Sequence, residues 1–150
     1  MQASSPAAVS DPLLQTLAEF RFELRRFLHF SETAARQAGL EPQQHQLLLQ
    51  LAGAPAGIAT SIAYAAQRLG LKHNSAVELV DRCERQGLLN RTVDPADKRC
   101  AILRITRKGS QLLARLTRDH ARELNEFAPL LVRTLKRVQN HSTASPGRPA

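Results

Sequence analysis

The feature that most constrains the fold is a pair of short helical patterns separated only by a glycine-containing turn. The first pattern begins after Ser61 and stops at Gly70, and the second begins after Lys72 and stops at Gly87. Each carries a narrow apolar stripe of helical period. The stripes consist of Ile62, Ala65, Ala66 and Leu69 in the first pattern and of Ala76, Val80 and Cys83 in the second. Two short helices joined by so tight a turn predict a helix-turn-helix.

The sequence after this pair predicts a β-hairpin with a charged tip. Two β-prone runs, LLNRTV and CAILRIT, flank the polar stretch DPADKR, whose Asp and Pro residues favour a turn. The hairpin would form a wing beside the helix-turn-helix.

Longer helical patterns lie on both sides of this core. A first helix is expected from an Asp11 cap to a stop near Gly39, and a second opens at Pro42. A last helix is expected from Lys108 onward, and Pro129 should kink or split it. With 43% hydrophobic but only 4% aromatic residues among 150, the chain suits one core of Leu- and Ala-rich helices. The predicted fold class is mainly α with a small β-wing.

The two ends of the chain are predicted to be disordered tails. Residues 1–10 are rich in Ala, Ser and Pro, and residues 139–150 are polar with two prolines. Neither stretch can bury much apolar area, so one folded domain is expected over residues 11–138.

The charge of the chain points towards a polyanion as its partner. The formal net charge is +8, and the segment from Arg68 to Lys108 holds ten basic and five acidic residues, which is +5 of that total. No apolar run approaches the roughly 18 residues of a membrane span. Because no basic and then apolar leader is seen either, we expect a soluble, cytoplasmic protein without membrane contact.

Other function classes find little support in the sequence. The two cysteines, Cys83 and Cys100, are too few for a disulfide framework and too far apart for CxxC metal chemistry. The five histidines lack metal-ligand spacing, and no motif of a phosphate-binding loop, a metalloprotease or a serine hydrolase occurs. We therefore expect no catalytic site, no metal and no cofactor.

Three stretches between Ser61 and Gly109 resemble the DNA-binding core of the MarR family. They are AAQRLGL, AVELVDRCERQGLL and DPADKRCAILRITRKG. The last is the most specific, because an Asp-x-x-Asp-Lys-Arg loop leads through alternating apolar residues to Ile-Thr-x-x-Gly. The resemblance covers about residues 12–138.

The resemblance implies a winged helix-turn-helix regulator that acts as a homodimer on double-stranded DNA. Residues 58–109 would form the DNA-binding lobe, and residues 11–40 and 110–138 the dimerisation helices. Two-fold symmetry implies a palindromic operator. Family members usually repress, and often release DNA when a small aromatic or phenolic ligand binds. An alternative is a winged-helix module that binds RNA or a protein partner, since the fold serves such roles too.

In a winged helix, the second helix of the motif lies in the major groove, where its N-terminal end meets base edges and phosphates. Asn74 and Ser75 offer donors and acceptors to bases, and Val77 suits a thymine methyl group. Lys72 and Arg82 suit phosphates. The predicted contact residues in this helix are Lys72, His73, Asn74, Ser75, Val77, Glu78 and Arg82.

Two interpretations of Glu78 are open on the sequence alone. Its carboxylate can accept a hydrogen bond from cytosine N4. Alternatively, the stretch from Ser75 to Glu78 matches the S-x-x-E capping box, in which the carboxylate bonds the backbone at a helix start.

In the wing, the resemblance assigns roles to three adjacent residues. Arg99 matches the family arginine that enters the minor groove, and Asp97 matches the acid that orients it through an ion pair. Lys98 would add a phosphate contact.

An effector pocket and a redox switch are the remaining functional candidates. Phe27, His29, Phe30, His45 and Leu47 would combine an apolar wall with a few polar groups, although core packing and surface histidines explain the same residues. Oxidation-sensing members of the family place their reactive cysteine near the start of the first helix, where this chain has none. We therefore expect both thiols to be structural.

Overall fold

The computed structural model describes residues 11–143, and within them the chain forms five helices and one two-stranded antiparallel sheet. The elements are α1 (Pro12–Gln37), α2 (Pro42–Ala52), α3 (Ile62–Leu69), α4 (His73–Arg85), β1 (Leu89–Val93), β2 (Ala101–Ile105) and α5 (Arg107–Thr143). The tail expected at residues 1–10 lies outside the described residues, and so does the part of the tail expected at residues 139–150 that follows residue 143.

These elements fall into two compact units. The winged unit, Ser31–His120, holds the end of α1, helices α2 to α4, the hairpin and the start of α5. The helical unit consists of the described residues up to Phe30 and from Ala121 onward. The winged unit is therefore larger than the lobe of residues 58–109 that the resemblance implied.

The helix-turn-helix forms where the sequence predicted it. Ser61 caps α3, because its Oγ accepts a hydrogen bond from the Tyr64 backbone N–H at 3.1 Å. Gly70 ends α3 in the left-handed conformation with φ of 63°, which a residue without Cβ adopts at little cost. Helix α4 begins three residues later, at His73.

The core of the winged unit joins α2, α4, the hairpin and the start of α5. Its largest buried side chains are Leu47, Leu48 and Leu51 of α2, Leu79, Val80 and Cys83 of α4, Leu88 and Leu89 at β1, Leu103 of β2, and Leu113 and Leu116 of α5. Full burial of one such aliphatic side chain contributes roughly 1.5 to 3 kcal/mol. The cluster therefore holds α4 and the hairpin in one body.

The wing is anchored through β2. The backbone N–H of Leu103 donates to Thr60 O at 2.8 Å, which attaches β2 to the segment before α3. Ile102 and Leu103 of β2 are buried, whereas in β1 only Leu89 is. Most of β1 therefore faces solvent and is held by its antiparallel pairing with β2.

Helix α5 begins close against the residues that precede β1. Thr106 Oγ1 donates to Gly87 O at 2.6 Å, and the Thr106 backbone N–H donates to Leu88 O at 3.1 Å. Gly109 is buried there, and a Cβ at this position would overlap with the Leu88 carbonyl oxygen and lie 2.8 Å from Ile105 Cγ2. The Gly of the Ile-Thr-x-x-Gly pattern is thus required by a close backbone approach.

The expectations for the last helix are narrowed at one point and corrected at another. Pro129 does not split the helix, since α5 is one helix of 37 residues from Arg107 to Thr143, so that only a kink is left of the two expected effects. A proline removes one N–H donor and locally costs about 3 kcal/mol, but the hydrogen bonds on both sides of Pro129 let a helix of this length continue. Its final turn also enters residues 139–150, which were predicted to be a tail.

The helical unit buries polar residues and exposes apolar ones. Phe27 and Phe127 stack with ring centroids 6.0 Å apart. The buried residues include Thr16, Glu23 and Thr134. Seven large apolar side chains are exposed instead, namely Leu14, Leu17, Phe22, Leu28, Leu124, Val132 and Leu135. The unit therefore presents to its surroundings side chains that a core normally buries. None of the described helices is long and apolar enough to cross a membrane.

Candidate nucleic-acid interface

Helix α4 has a buried side and an exposed side. Ala76, Leu79 and Val80 pack into the core of the winged unit. The exposed side begins at the helix N-terminus and carries Lys72, His73, Asn74, Ser75 and Glu78, with Val77 partly buried at its edge. The structure thus brings most of the residues predicted to contact DNA onto one surface.

The capping-box interpretation of Glu78 is wrong. The N-cap of α4 is Lys72, which makes no side-chain cap bond, and Ser75 is the third residue inside the helix. The Ser-x-x-Glu spacing is present, but its Ser does not stand at a helix start, so the box cannot form. Glu78 is exposed and, three residues after Ser75, lies on the same helix side.

Arg82 is engaged within the protein. Its Nε donates to Glu41 Oε2 at 3.2 Å, and its side chain is only partly exposed. The ion pair links α4 to the N-cap residue of α2. Arg82 is therefore less available to a phosphate than the sequence suggested.

The wing presents an oriented arginine. The Arg99 side chain is 92% exposed. Asp97 Oδ1 accepts hydrogen bonds from the Arg99 Nε and from the Arg99 backbone N–H, each at 3.1 Å. These bonds, the side-chain one foremost, hold the pKa of the Asp97 carboxyl below its usual value. Asp97 thus fixes the direction of a guanidinium that otherwise faces solvent, and the neighbouring Lys98 is exposed as well.

Several cations of the winged unit were not among the predicted contacts. Arg85, Arg104 and Arg107 are exposed. Arg68 of α3 is also exposed, and its Nε donates to Gln50 Oε1 at 2.7 Å. Their charge was visible in the sequence, but the face on which each lies was not. Arg91 of β1 differs from them, because its guanidinium bonds carboxylates of α4.

Neither thiol has the environment of a reactive cysteine. Cys83 is fully buried, and burial raises the pKa of its thiol to about 12. Cys100 is exposed in the wing, where the negative charge of Asp97 raises the pKa of its thiol. Both shifts disfavour the nucleophilic thiolate.

The predicted pocket residues are distributed over both units. In the helical unit, Phe27 takes part in the aromatic stack, His29 is exposed and Phe30 is partly buried. In the winged unit, His45 and Leu47 are buried. A joint ligand site formed by these five residues stays a prediction.

His45 has an unusual environment for a histidine. Its ring centroid lies 4.8 Å from that of His120, and its Nδ1 finds no hydrogen-bond partner within the described chain. Burial, and secondarily the charge of His120, lower the pKa of His45 to about 4. His45 is therefore neutral near pH 7. No three His, Cys, Asp or Glu side chains within residues 11–143 come together as a metal site would need.

A helix-turn-helix followed by a wing with an oriented arginine defines the class of winged helix-turn-helix proteins. Comparison with known proteins narrows the class. The model of the MarR family matches residues 38–99. A protein of Thauera aromatica described as a transcriptional regulatory protein for the hcr operon is 28% identical over 141 residues, covering 85% of this chain and 83% of the relative.

Solved structures share the fold. A MarR family transcription regulator is similar with a TM-score of 0.72 at 20% identity, covering 89% of each chain. CouR from Rhodococcus jostii, bound to p-coumaroyl-CoA, has a TM-score of 0.65 at 24% identity, covering 96% of this chain and 99% of its own. A variant of MepR from S. aureus, bound to an oligodeoxyribonucleotide, has a TM-score of 0.58 at 22% identity, with 83% and 86% covered. The chain is therefore similar to the MarR family of transcription regulators over residues 38–99, and it shares the fold of the solved members.

Proposed function

We propose that this protein binds a palindromic duplex operator as a homodimer, represses transcription there, and is released by a small aromatic or phenolic ligand. One observation carries the DNA-binding part. The exposed N-terminal side of α4 and the oriented Arg99 of the wing belong to the same compact unit. The major groove accepts an α-helix, and a narrow minor groove attracts an arginine.

The start of α4 is electrostatically suited to DNA. Its first turn contains no acidic residue, and Lys72 adds a cation at the N-cap. The backbone N–H groups at a helix N-terminus carry partial positive charge, which favours a phosphate. In this proposal Asn74 and Ser75 contact base edges and Glu78 accepts from cytosine N4. Asp97 acts through Arg99, and Arg82 is the least available of the proposed contacts because it pairs with Glu41. The full set of proposed contacts in α4 and the wing is Lys72, His73, Asn74, Ser75, Val77, Glu78, Arg82, Asp97, Lys98 and Arg99.

The homodimer is supported by the exposed apolar side chains of the helical unit. Exposed apolar surface of this extent is characteristic of protein interfaces. A second copy of the chain would cover it through a two-fold axis. The same axis would set two α4 helices on two half-sites, so the operator would be a palindrome.

The release by a ligand rests on the family and on the predicted pocket. CouR, a structural relative, is bound to p-coumaroyl-CoA. In this chain Phe27, His29, Phe30, His45 and Leu47 are the proposed ligand contacts. Screening aromatic acids and phenols for loss of operator binding tests this part of the proposal.

Selection of bound sequences from a random duplex pool by the purified protein tests the proposal. We expect a palindrome whose half-sites lie about one helical turn apart, bound at least about 10³-fold more tightly than random DNA. Repeating the selection with Glu78→Gln should change the preferred base at one position per half-site. If no duplex sequence is enriched while an RNA or a protein is bound tightly, the regulator proposal gives way to that alternative.

Replacing Arg99 with alanine should weaken operator binding by at least about tenfold, because the oriented guanidinium is lost from the minor groove. Arg36→Ala is a matched control, since Arg36 is an exposed arginine of the winged unit that pairs with Glu32 on α1. The measurement is the Kd for the selected duplex at constant salt, with circular dichroism to verify the fold. Equal affinities of Arg99→Ala and Arg36→Ala would contradict the role of Arg99.

A further inference from the structure

The strand that leads to Arg99 has little apolar support of its own. Of the five residues of β1 only Leu89 is buried, and Val93 at its far end is 64% exposed. The wing tip with Arg99 follows directly after β1. A contact of β1 outside the sheet would restrict the position of the tip further than the pairing with β2 alone.

Arg91, in the middle of β1, makes such a contact with α4. Its Nη2 bonds Asp81 Oδ1, and its Nε lies 3.2 Å from Glu84 Oε2. Asp81 and Glu84 are three residues apart and therefore lie on one side of the helix. The planar guanidinium, with its fixed fork of N–H donors, can serve both carboxylates at once.

We propose that Arg91 is a positioning residue that holds the wing against α4, so that Arg99 and the base contacts of α4 reach their grooves together. This inference rests on the proposed DNA-binding function. It adds a physical link between the base contacts of α4 and Arg99 of the wing. Arg91 joins the helix that begins with the proposed base contacts to the strand that ends before the wing tip.

A direct phosphate contact by Arg91 is a weaker account of the same residue. Its guanidinium already faces two carboxylates, so the three side chains together carry a net negative charge. A phosphate would have to compete with both of them. The two accounts predict opposite results when the carboxylates are removed, because that change would free Arg91 for a phosphate but would detach the wing from α4.

A double-mutant cycle on operator binding tests the proposal. Arg99→Ala is combined with Arg91→Gln and, separately, with the pair Asp81→Asn and Glu84→Gln. In the parent background Arg99→Ala should weaken binding at least about tenfold. In both altered backgrounds we expect its effect to fall below about threefold, because a detached wing no longer delivers Arg99 to its groove. Arg91→Lys, which keeps a cation beside the carboxylates, should restore most of the tenfold effect.

Arg68→Gln is the matched control background, since it removes one exposed arginine from α3 without touching the link between α4 and the wing. There the effect of Arg99→Ala should stay at about tenfold. Exposed ion pairs contribute little to overall stability, so all variants should fold, and thermal unfolding verifies this.

The outcomes separate this inference from the proposed function. A full tenfold effect of Arg99→Ala in every background overturns the positioning role and leaves DNA binding intact. Tighter operator binding after the Asp81 and Glu84 changes, with the Arg99→Ala effect retained, would show a phosphate contact instead. If the parent chain binds no specific duplex, both the function and the inference fail. If it binds one but Arg99→Ala has no effect, the role of Arg99 and the inference fail while the DNA-binding function stands.

Discussion

Replacing Gly109 with alanine is expected to lower the free energy of unfolding by about 3 kcal/mol. The new Cβ would overlap with the Leu88 carbonyl oxygen and lie 2.8 Å from Ile105 Cγ2. Backbone cannot move aside as the end of a flexible side chain can, so the start of α5 would have to shift away from the hairpin. Urea unfolding followed by circular dichroism measures the loss as a lower midpoint at unchanged slope.

The sign of the change in the free energy of unfolding shows whether the contact of position 109 with Leu88 or the higher helix propensity of alanine dominates. At an exposed helical site, Gly→Ala stabilises by up to about 1 kcal/mol. Ser110→Ala is the matched control, because Ser110 is the next residue of α5 and is exposed, and its substitution should change stability by less than about 0.5 kcal/mol. If Gly109→Ala were neutral or stabilising, the contact with Leu88 would not be tight in solution.

The stability of the protein should fall between pH 6.5 and pH 4 through His45, by up to about 3 kcal/mol. In the unfolded chain this imidazole has its ordinary pKa of 6.5, whereas burial and the charge of His120 lower its pKa to about 4 in the folded protein. Between these values the unfolded state binds more protons. The stability present above pH 6.5 is therefore lost as the pH falls towards 4.

The comparison of His45→Leu with the parent isolates this contribution. Leucine keeps the site filled and apolar but does not titrate, so the variant should lose about 2 to 3 kcal/mol less than the parent between pH 7 and pH 4.5. His29→Gln, at an exposed position, should show the pH dependence of the parent. Parallel pH profiles of the parent and His45→Leu would show that His45 is accessible to protons in the folded state.

Most of the local structure was predictable because its causes lie within a few residues of sequence. The cap at Ser61 and the left-handed Gly70 delimit α3, and the turn-forming loop between two β-prone runs specifies the hairpin. The Asp97 and Arg99 pair is likewise local, since the two residues are only two positions apart. In contrast, the Ser-x-x-Glu motif at Ser75 wrongly suggested a capping box. A capping box needs its Ser at the start of a helix, and α4 already begins at His73, directly after the turn that follows Gly70.

Residues with two plausible roles could not be assigned before the elements were packed. Arg82 looked like a phosphate contact, yet it pairs with Glu41, which is 41 positions away in the chain. Arg91 was one cation among many until its position opposite Asp81 and Glu84 became visible. A composition or a charge count has no information about such partners, because an ion pair forms only where folding brings the side chains within reach.

By itself, the sequence determined the order and type of the elements, the wing with its arginine and the resemblance to the MarR family. Helix caps, glycine conformations and the period of apolar residues act within a few residues, so they can be predicted without knowledge of the tertiary packing. Only the tertiary structure decided which charges are satisfied inside the protein, why position 109 must be glycine, and that His45 is buried against His120. Each of these depends on contacts between elements distant in sequence, and such contacts form only when the core assembles.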